Sequence, residues 1–170
     1  MNLLLIGLLG GCTGLRTFTP LALLCWFAWR GTIHLSGWRS FAATLVAAIL
    51  VTLVALGELY GDKLPKTPSR IALPGLIGRT VFGAVVGLLL AQPLLLNSAA
   101  AVAAGAVGAI AGSFAGWFVR TRTVAALKCP DWMVAVTEDV VAIALSITFL
   151  HLVAVHGALF LGNEGILLGR

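Results

Sequence analysis

Long apolar stretches alternate along this chain with short polar connections, and their lengths set out the elements. Asn2 to Leu15 and Pro20 to Trp29 are apolar, separated by Arg16-Thr17-Phe18-Thr19. Each is shorter than the ~20 residues a helix needs to cross a ~30 Å hydrocarbon core. Thr19 followed by Pro20 is a helix-start signal, with a hydroxyl for the N-cap and a proline for the first turn. The pattern predicts helix, break, helix, with Arg16 at the break. Residues 1–31 then form two spans, one broken span or a re-entrant hairpin. In the first case Arg16 lies at the interface. In the others it lies at membrane depth, where irregular backbone needs protein or a watery cavity around it.

Arg30 to Arg39 is a short polar connection, and Ser40 to Gly57 is an uncharged run long enough to cross. The run ends at Glu58, which opens a segment to Arg79 that holds six of the seventeen charged side chains. Glu58 and Asp62 stand at i and i+4, so both carboxylates leave one face of the helix at its end. Pro65, Pro68 and Pro74 make the following segment, with Lys63, Lys66 and Arg70, a water-facing connection that Arg79 closes. Thr80 to Val119 carries no charge for forty residues, enough for two spans. Gln92-Pro93 and Asn97-Ser98 mark the turn between them, with Ser98 expected as the N-cap of the second. Pro130-Asp131-Trp132 restarts a helix that carries Glu138 and Asp139 in its second turn and is uncharged from Val140 to Asn163. Gly157 to Arg170 is too short and glycine-rich for a further span. The expected fold is an all-α, polytopic transmembrane bundle of five or six segments, a single domain over residues 1–170, with its first pair short and broken around Arg16.

Composition fixes the class. With 60% hydrophobic residues, 10% charged residues and a mean hydropathy of +1.06, the chain is far from the roughly one-quarter charged usage of soluble domains. It reads as an integral membrane protein whose first partner is the lipid bilayer. The net charge of +5 falls in short loops, where it orients helices and calls for no nucleic-acid partner. Cys12, Cys25 and Cys129 are too far apart for a CxxC pair and read as small buried hydrophobes. Leu9-Gly10-Gly11-Cys12 looks like a lipoprotein cleavage box, but no Lys or Arg precedes it, so it is expected to be helix. Gly108, Gly112 and Gly116 recur every four residues, as do Gly83/Gly87, Gly7/Gly11 and Gly10/Gly14. Small residues at that spacing let backbones approach closely in lipid, which predicts a tight bundle and allows a homodimer. Trp26, Trp29, Trp38, Trp117 and Trp132 lie near the expected span ends, as an aromatic belt would.

Positive charges concentrate between Gly61 and Arg79 and between Arg120 and Asp131, while the turn at Asn97 has none. The positive-inside rule places the first two in the cytoplasm and the turn outside. Glu58, Asp62, Arg79, Arg120, Glu138 and Asp139 then lie toward one side. Together with Arg16 they are the candidate site for binding or coupling. At least one of these acids is expected to reach an arginine of a non-adjacent helix. The segment from Gly10 to Thr19 also lies over that from Gly112 to Thr123, two glycine-spaced helices ending in Arg-Thr, a weak internal repeat of the sort carriers use.

Gly14-Leu15-Arg16 with Pro20 after it, Glu58 followed by Asp62-Lys63-Leu64-Pro65, an arginine opening the next helix, and Glu138-Asp139 in a late one resemble the bacterial membrane proteins catalogued as domain of unknown function 4126. The likeness touches most of the length. It departs in the second half, where an Asn-Ser-Pro-Glu-Pro type of stretch before the late acidic pair is absent. It implies a small multi-pass inner-membrane protein and supplies no activity.

Three functional classes fit these residues. The first is a small carrier for an anionic small molecule or lipid phosphate, in which an arginine meets the anion and a carboxylate exchanges a proton. The second is a membrane enzyme acting on a lipid phosphate. Against it, the chain has no HExxH, GxSxG or Walker loop, and no cofactor, metal or catalytic residue is expected. The third is a scaffold in which the charges are salt bridges between helices. Intramembrane charges are costly and tend to be functional, which favours the carrier.

Overall fold

The computed structural model describes residues 1–62, 72–127 and 130–167. Among them all regular structure is helical: α1 (Asn2–Leu15), α2 (Thr19–Trp29), a short 3-10 helix (Gly37–Ala43), α3 (Leu45–Gly61), α4 (Leu73–Leu90), α5 (Ser98–Leu127) and α6 (Asp131–Leu167). Three stretches are long and apolar enough to cross a membrane, Leu73–Leu90, Ser98–Ala126 and Trp132–Ala158. The 3-10 helix and α3 make a fourth when taken as one span bent by 61°. The bend falls at Thr44, which is extended and whose hydroxyl accepts from the Ala47 amide to start α3. α1 and α2 are both short, as their sequence lengths required.

Contacts at the two ends of the bundle fix how the helices run. At one end Asn2 donates to the Leu94 carbonyl, Ser36 bonds Gln92, and a side chain on Gly157 would touch the Pro93 carbonyl. At the other end Arg16 meets Asp62 and Asp139. Successive helices therefore run in opposite directions, with α1 and α2 turning back on each other at Arg16. The centre is α1. Its Leu5, Ile6 and Leu9 are buried with Leu24 of α2, Val86, Leu89 and Leu90 of α4, and Leu150 and Val153 of α6. α3 buries only Ala48 and Ala55. Its Leu45, Val46, Ile49, Leu50, Leu53 and Leu56 are exposed, as a helix facing lipid requires.

Glycine does in this fold what its spacing predicted. A Cβ on Gly10 would stand 2.3 Å from the Gly105 carbonyl oxygen, one on Gly14 2.3 Å from that of Ala109, and one on Gly87 2.2 Å from that of Ala101. α1, α4 and α5 thus touch backbone to backbone, where dispersion between close atoms holds helices that lipid does not press together. These contacts lie within one chain.

Several local expectations need correction. The cap of α5 is Asn97, whose side-chain oxygen accepts from the amides of Ala99 and Ala100 at 2.8 and 3.3 Å, and not Ser98. α6 runs on through Gly157, Gly162 and Gly165 to Leu167, so the glycines do not end the helix, and these residues extend it without adding a further span. Arg79 does not close a water-facing connection: α4 begins at Leu73 with Pro74 in its first turn, and Arg79 lies inside that helix, buried. Lys63, Lys66, Arg70, Pro65, Pro68 and Cys129 fall outside the described residues. Cys12 and Cys25 are buried free thiols. Trp29, Trp38, Trp117 and Trp132 are exposed as belt residues should be, whereas Trp26 ties α2 to α3 by donating to Thr52 at 3.0 Å.

Candidate functional site

Where α1 ends, Arg16 leaves the helix in an extended conformation while its amide still bonds the Cys12 carbonyl. Its side chain is 0% exposed. One terminal nitrogen bonds Asp62, at the C-terminus of α3, and the other lies 2.5 Å from Asp139 of α6. The second nitrogen also donates to the Ala135 carbonyl at 3.4 Å. Ala135 and Asp139 are one helical turn apart, so α6 offers a carbonyl and a carboxylate on one face. A buried guanidinium is tolerated only when paired and hydrogen-bonded, and here α3 supplies one carboxylate and α6 a second carboxylate and a carbonyl. Acids of α3 and α6 reach an arginine far from them in sequence.

Glu58 faces the same break with a different task. Its two oxygens accept from the amides of Thr17 and Phe18 at 2.7 and 2.9 Å. These amides stand just ahead of α2, so the carboxylate occupies the positive end of that helix. The i, i+4 spacing of Glu58 and Asp62 did bring both to one place, the Arg16 turn. Sequence reasoning assigned the cap of α2 to Thr19. The helix has no side-chain cap of its own, and the buried Thr19 hydroxyl has no hydrogen-bond partner among the described residues.

Glu138 and Asp139 diverge, as neighbours about 100° apart on a helix must. Asp139 turns to Arg16, while Glu138 lies 3.9 Å from Arg120 of α5. Arg120 and Glu138 border a crevice of ≈ 530 Å³ between α5 and α6, walled by Leu15, Ala115, Val119, Met133 and Val141. Arg122 stays apart, exposed, its guanidinium 4.8 Å over the Phe118 ring. Of the seven candidate residues, four gather at the turn between α1 and α2, two form the pair at the crevice, and Arg79 is buried in α4. Sequence reasoning missed the Ala135 carbonyl and the amides of Thr17 and Phe18, because backbone groups leave no mark in residue type. Among the described residues no three of His, Cys, Asp or Glu gather as ligands of a metal ion.

Fold and site together define a helical membrane protein with a buried arginine shared between carboxylates at a helix break. The chain belongs to the family described as Domain of unknown function (DUF4126), whose model matches residues 3–164. That match runs through the second half, where the sequence had departed from the pattern. No curated protein and no solved structure matches the chain.

Proposed function

We propose that this protein is a small carrier for an anionic or lipid-phosphate substrate, with six membrane segments of which α1 and α2 are short legs meeting at Arg16. The Arg16 end faces the cytoplasm, across the inner membrane. The observation that carries the reading is the sharing of fully buried Arg16 between Asp62 and Asp139. A structural ion pair needs one carboxylate. With two, either can take a proton, or give way to a substrate anion, while the guanidinium keeps the other. The arginine is then never stranded in a medium where an unpaired charge costs several kcal/mol. Breaks between helices are where carriers bind ions and anionic groups, since backbone freed from the helix can face a cargo.

The scaffold reading is favoured by one observation, the capping of the α2 end by both oxygens of Glu58. That contact explains Glu58 as a fastening, so the coupling role passes to Asp62 and Asp139. The test uses proteoliposomes enclosing a pH-sensitive dye, with a panel of phosphorylated and carboxylated compounds added outside. Asp62→Asn and Asp139→Asn each are expected to melt within a few degrees of the parent and to lose substrate-driven proton movement. If no compound moves protons through the parent and both variants are badly destabilised, the scaffold reading replaces the carrier.

A further inference from the structure

We infer that the crevice between α5 and α6 holds one acyl chain of a phospholipid with a primary amine in its headgroup, the phosphate on Arg120 and the ammonium on Glu138. As a statement about cargo this rests on the carrier reading above; as a statement about binding it rests on the crevice itself.

The crevice lies within the spanning stretches Ser98–Ala126 and Trp132–Ala158, so it opens into hydrocarbon. Its walls include exposed apolar residues, Val119 on α5 and Met133 and Val141 on α6. In water such a groove would call for a protein partner. In a bilayer the filler always at hand is an acyl chain, and ≈ 530 Å³ is within the roughly 300–1,000 Å³ of small-molecule sites. Trp117 and Trp132, both exposed, stand in the sequence directly after Gly116 and directly before Met133 of its lining, and so share its level on the two helices. Tryptophan favours the headgroup level, which puts the charged pair near that level too.

The pair then selects the headgroup. Arg120 and Glu138 are mostly buried, with side chains 16% and 11% exposed, and lie 3.9 Å apart, longer than a hydrogen bond. A guanidinium fork matches the oxygens of a phosphate diester, and Thr123, one turn further along α5, adds a hydroxyl to the lining. A headgroup bringing only negative charge would press against Glu138. One that carries an ammonium brings Glu138 a further hydrogen-bond donor while its phosphate meets Arg120. A quaternary amine has the charge without the donors, so methylation weakens the fit.

The test is native mass spectrometry of the full chain in detergent with lipids of identical acyl chains. The expected result is one bound phosphatidylethanolamine, preferred over phosphatidylcholine and phosphatidylglycerol by about tenfold, the size of one charge-assisted hydrogen bond. Equal binding of the three lipids overturns the proposal without any variant. Ala115→Phe fills the groove with its charges intact and is expected to remove the adduct, while Glu138→Gln shifts preference toward phosphatidylglycerol and Arg122→Gln changes neither. Retention of the adduct in Ala115→Phe, or unchanged preference in Glu138→Gln, in variants whose melting curves match the parent, overturns it as well. Glycerophosphoethanolamine, the same headgroup without chains, is expected not to bind; if it competes as well as the lipid, the site takes a soluble solute and the acyl seat is wrong. Selective binding with no transport in the proteoliposome assay keeps this inference and sinks the carrier. Transport without selective binding does the reverse.

Discussion

The flank of α1 and the turn that follows it are held by opposite means. Along its length Gly10 and Gly14 meet α5 so closely that no Cβ fits, and no charge takes part. At its C-terminus Arg16 is held by carboxylates reaching in from α3 and α6. The first device depends on the absence of side chains and tolerates no added atom. The second depends on charge, and its two carboxylates give it a redundancy that the glycine seam lacks. Lipid offers helices no hydrophobic drive to associate, so close packing has to hold the seam and ion pairing the turn. A site that must rearrange belongs at the redundant end.

The largest effect is expected from removing the shared cation. Arg16→Gln leaves Asp62 and Asp139 beside each other without the guanidinium that joins them, and breaking a buried pair from one side costs about 3–5 kcal/mol. Melting of the detergent-purified variant should fall sharply, well below that of Asp62→Asn, in which Asp139 still holds Arg16. Equal losses for the two would mean that the second carboxylate adds no redundancy and would remove the contrast between the turn and the seam.

Next comes the seam. A Cβ on Gly108 would stand 2.0 Å from the Gly7 carbonyl oxygen, and one on Gly112 2.1 Å from that of Gly11. Both obstacles are helix backbone, which cannot swing aside, so α1 and α5 must separate and lose contact along their whole length. Gly108→Ala is expected to cost about 1–3 kcal/mol, the usual range for overpacking, read in the same melting assay. A larger residue there should cost more.

A smaller loss is expected from Glu58→Gln. The amide keeps an oxygen that can accept from Thr17 or Phe18 but gives up the charge at the positive end of α2, a change worth about 1 kcal/mol. Proton movement in the proteoliposome assay should persist. Loss of coupling at normal stability would return Glu58 from fastening to carrier chemistry.

The legible part of this structure was what depends on periodicity and length. The short α1 and α2, the break at Arg16 and the glycine seam all follow from spacing. The convergence of Glu58 and Asp62 follows from i, i+4 geometry. What escaped depends on partners distant in sequence. Thr19 looked like the cap of α2 because capping rules are local, while the group that does the work is Glu58, about 40 positions away. Arg79 looked solvated because charged and proline residues precede it, yet Pro74 in a first turn was itself the signal that α4 had begun. The turn after α4 uses Leu95 at φ 53°, a left-handed residue where glycine or asparagine would have announced itself. Number of spans was only partly legible, since among the described residues three helices meet the length of the bilayer and the rest are short or bent.

The smallest expected effect separates glycines that sequence spacing treats as equals. Gly7/Gly11 and Gly10/Gly14 repeat on α1 with the same period, but the two pairs do not face α5 alike. A Cβ on Gly10 would press into the Gly105 carbonyl at 2.3 Å, whereas one on Gly7 or Gly11 would lie 3.8 Å from the nearest α5 oxygen, an ordinary contact. Gly7 and Gly11 serve the seam with their backbone, as the surface that Gly108 and Gly112 approach, and have room for a methyl group of their own. Gly7→Ala and Gly11→Ala should therefore change stability by no more than about 0.5 kcal/mol, with alanine's better helix propensity acting in their favour. Gly10→Ala should behave like Gly108→Ala. If Gly7→Ala and Gly10→Ala melt together, the seam is a general preference for small residues on α1. If they part, it is a set of individual backbone contacts, each on its own glycine.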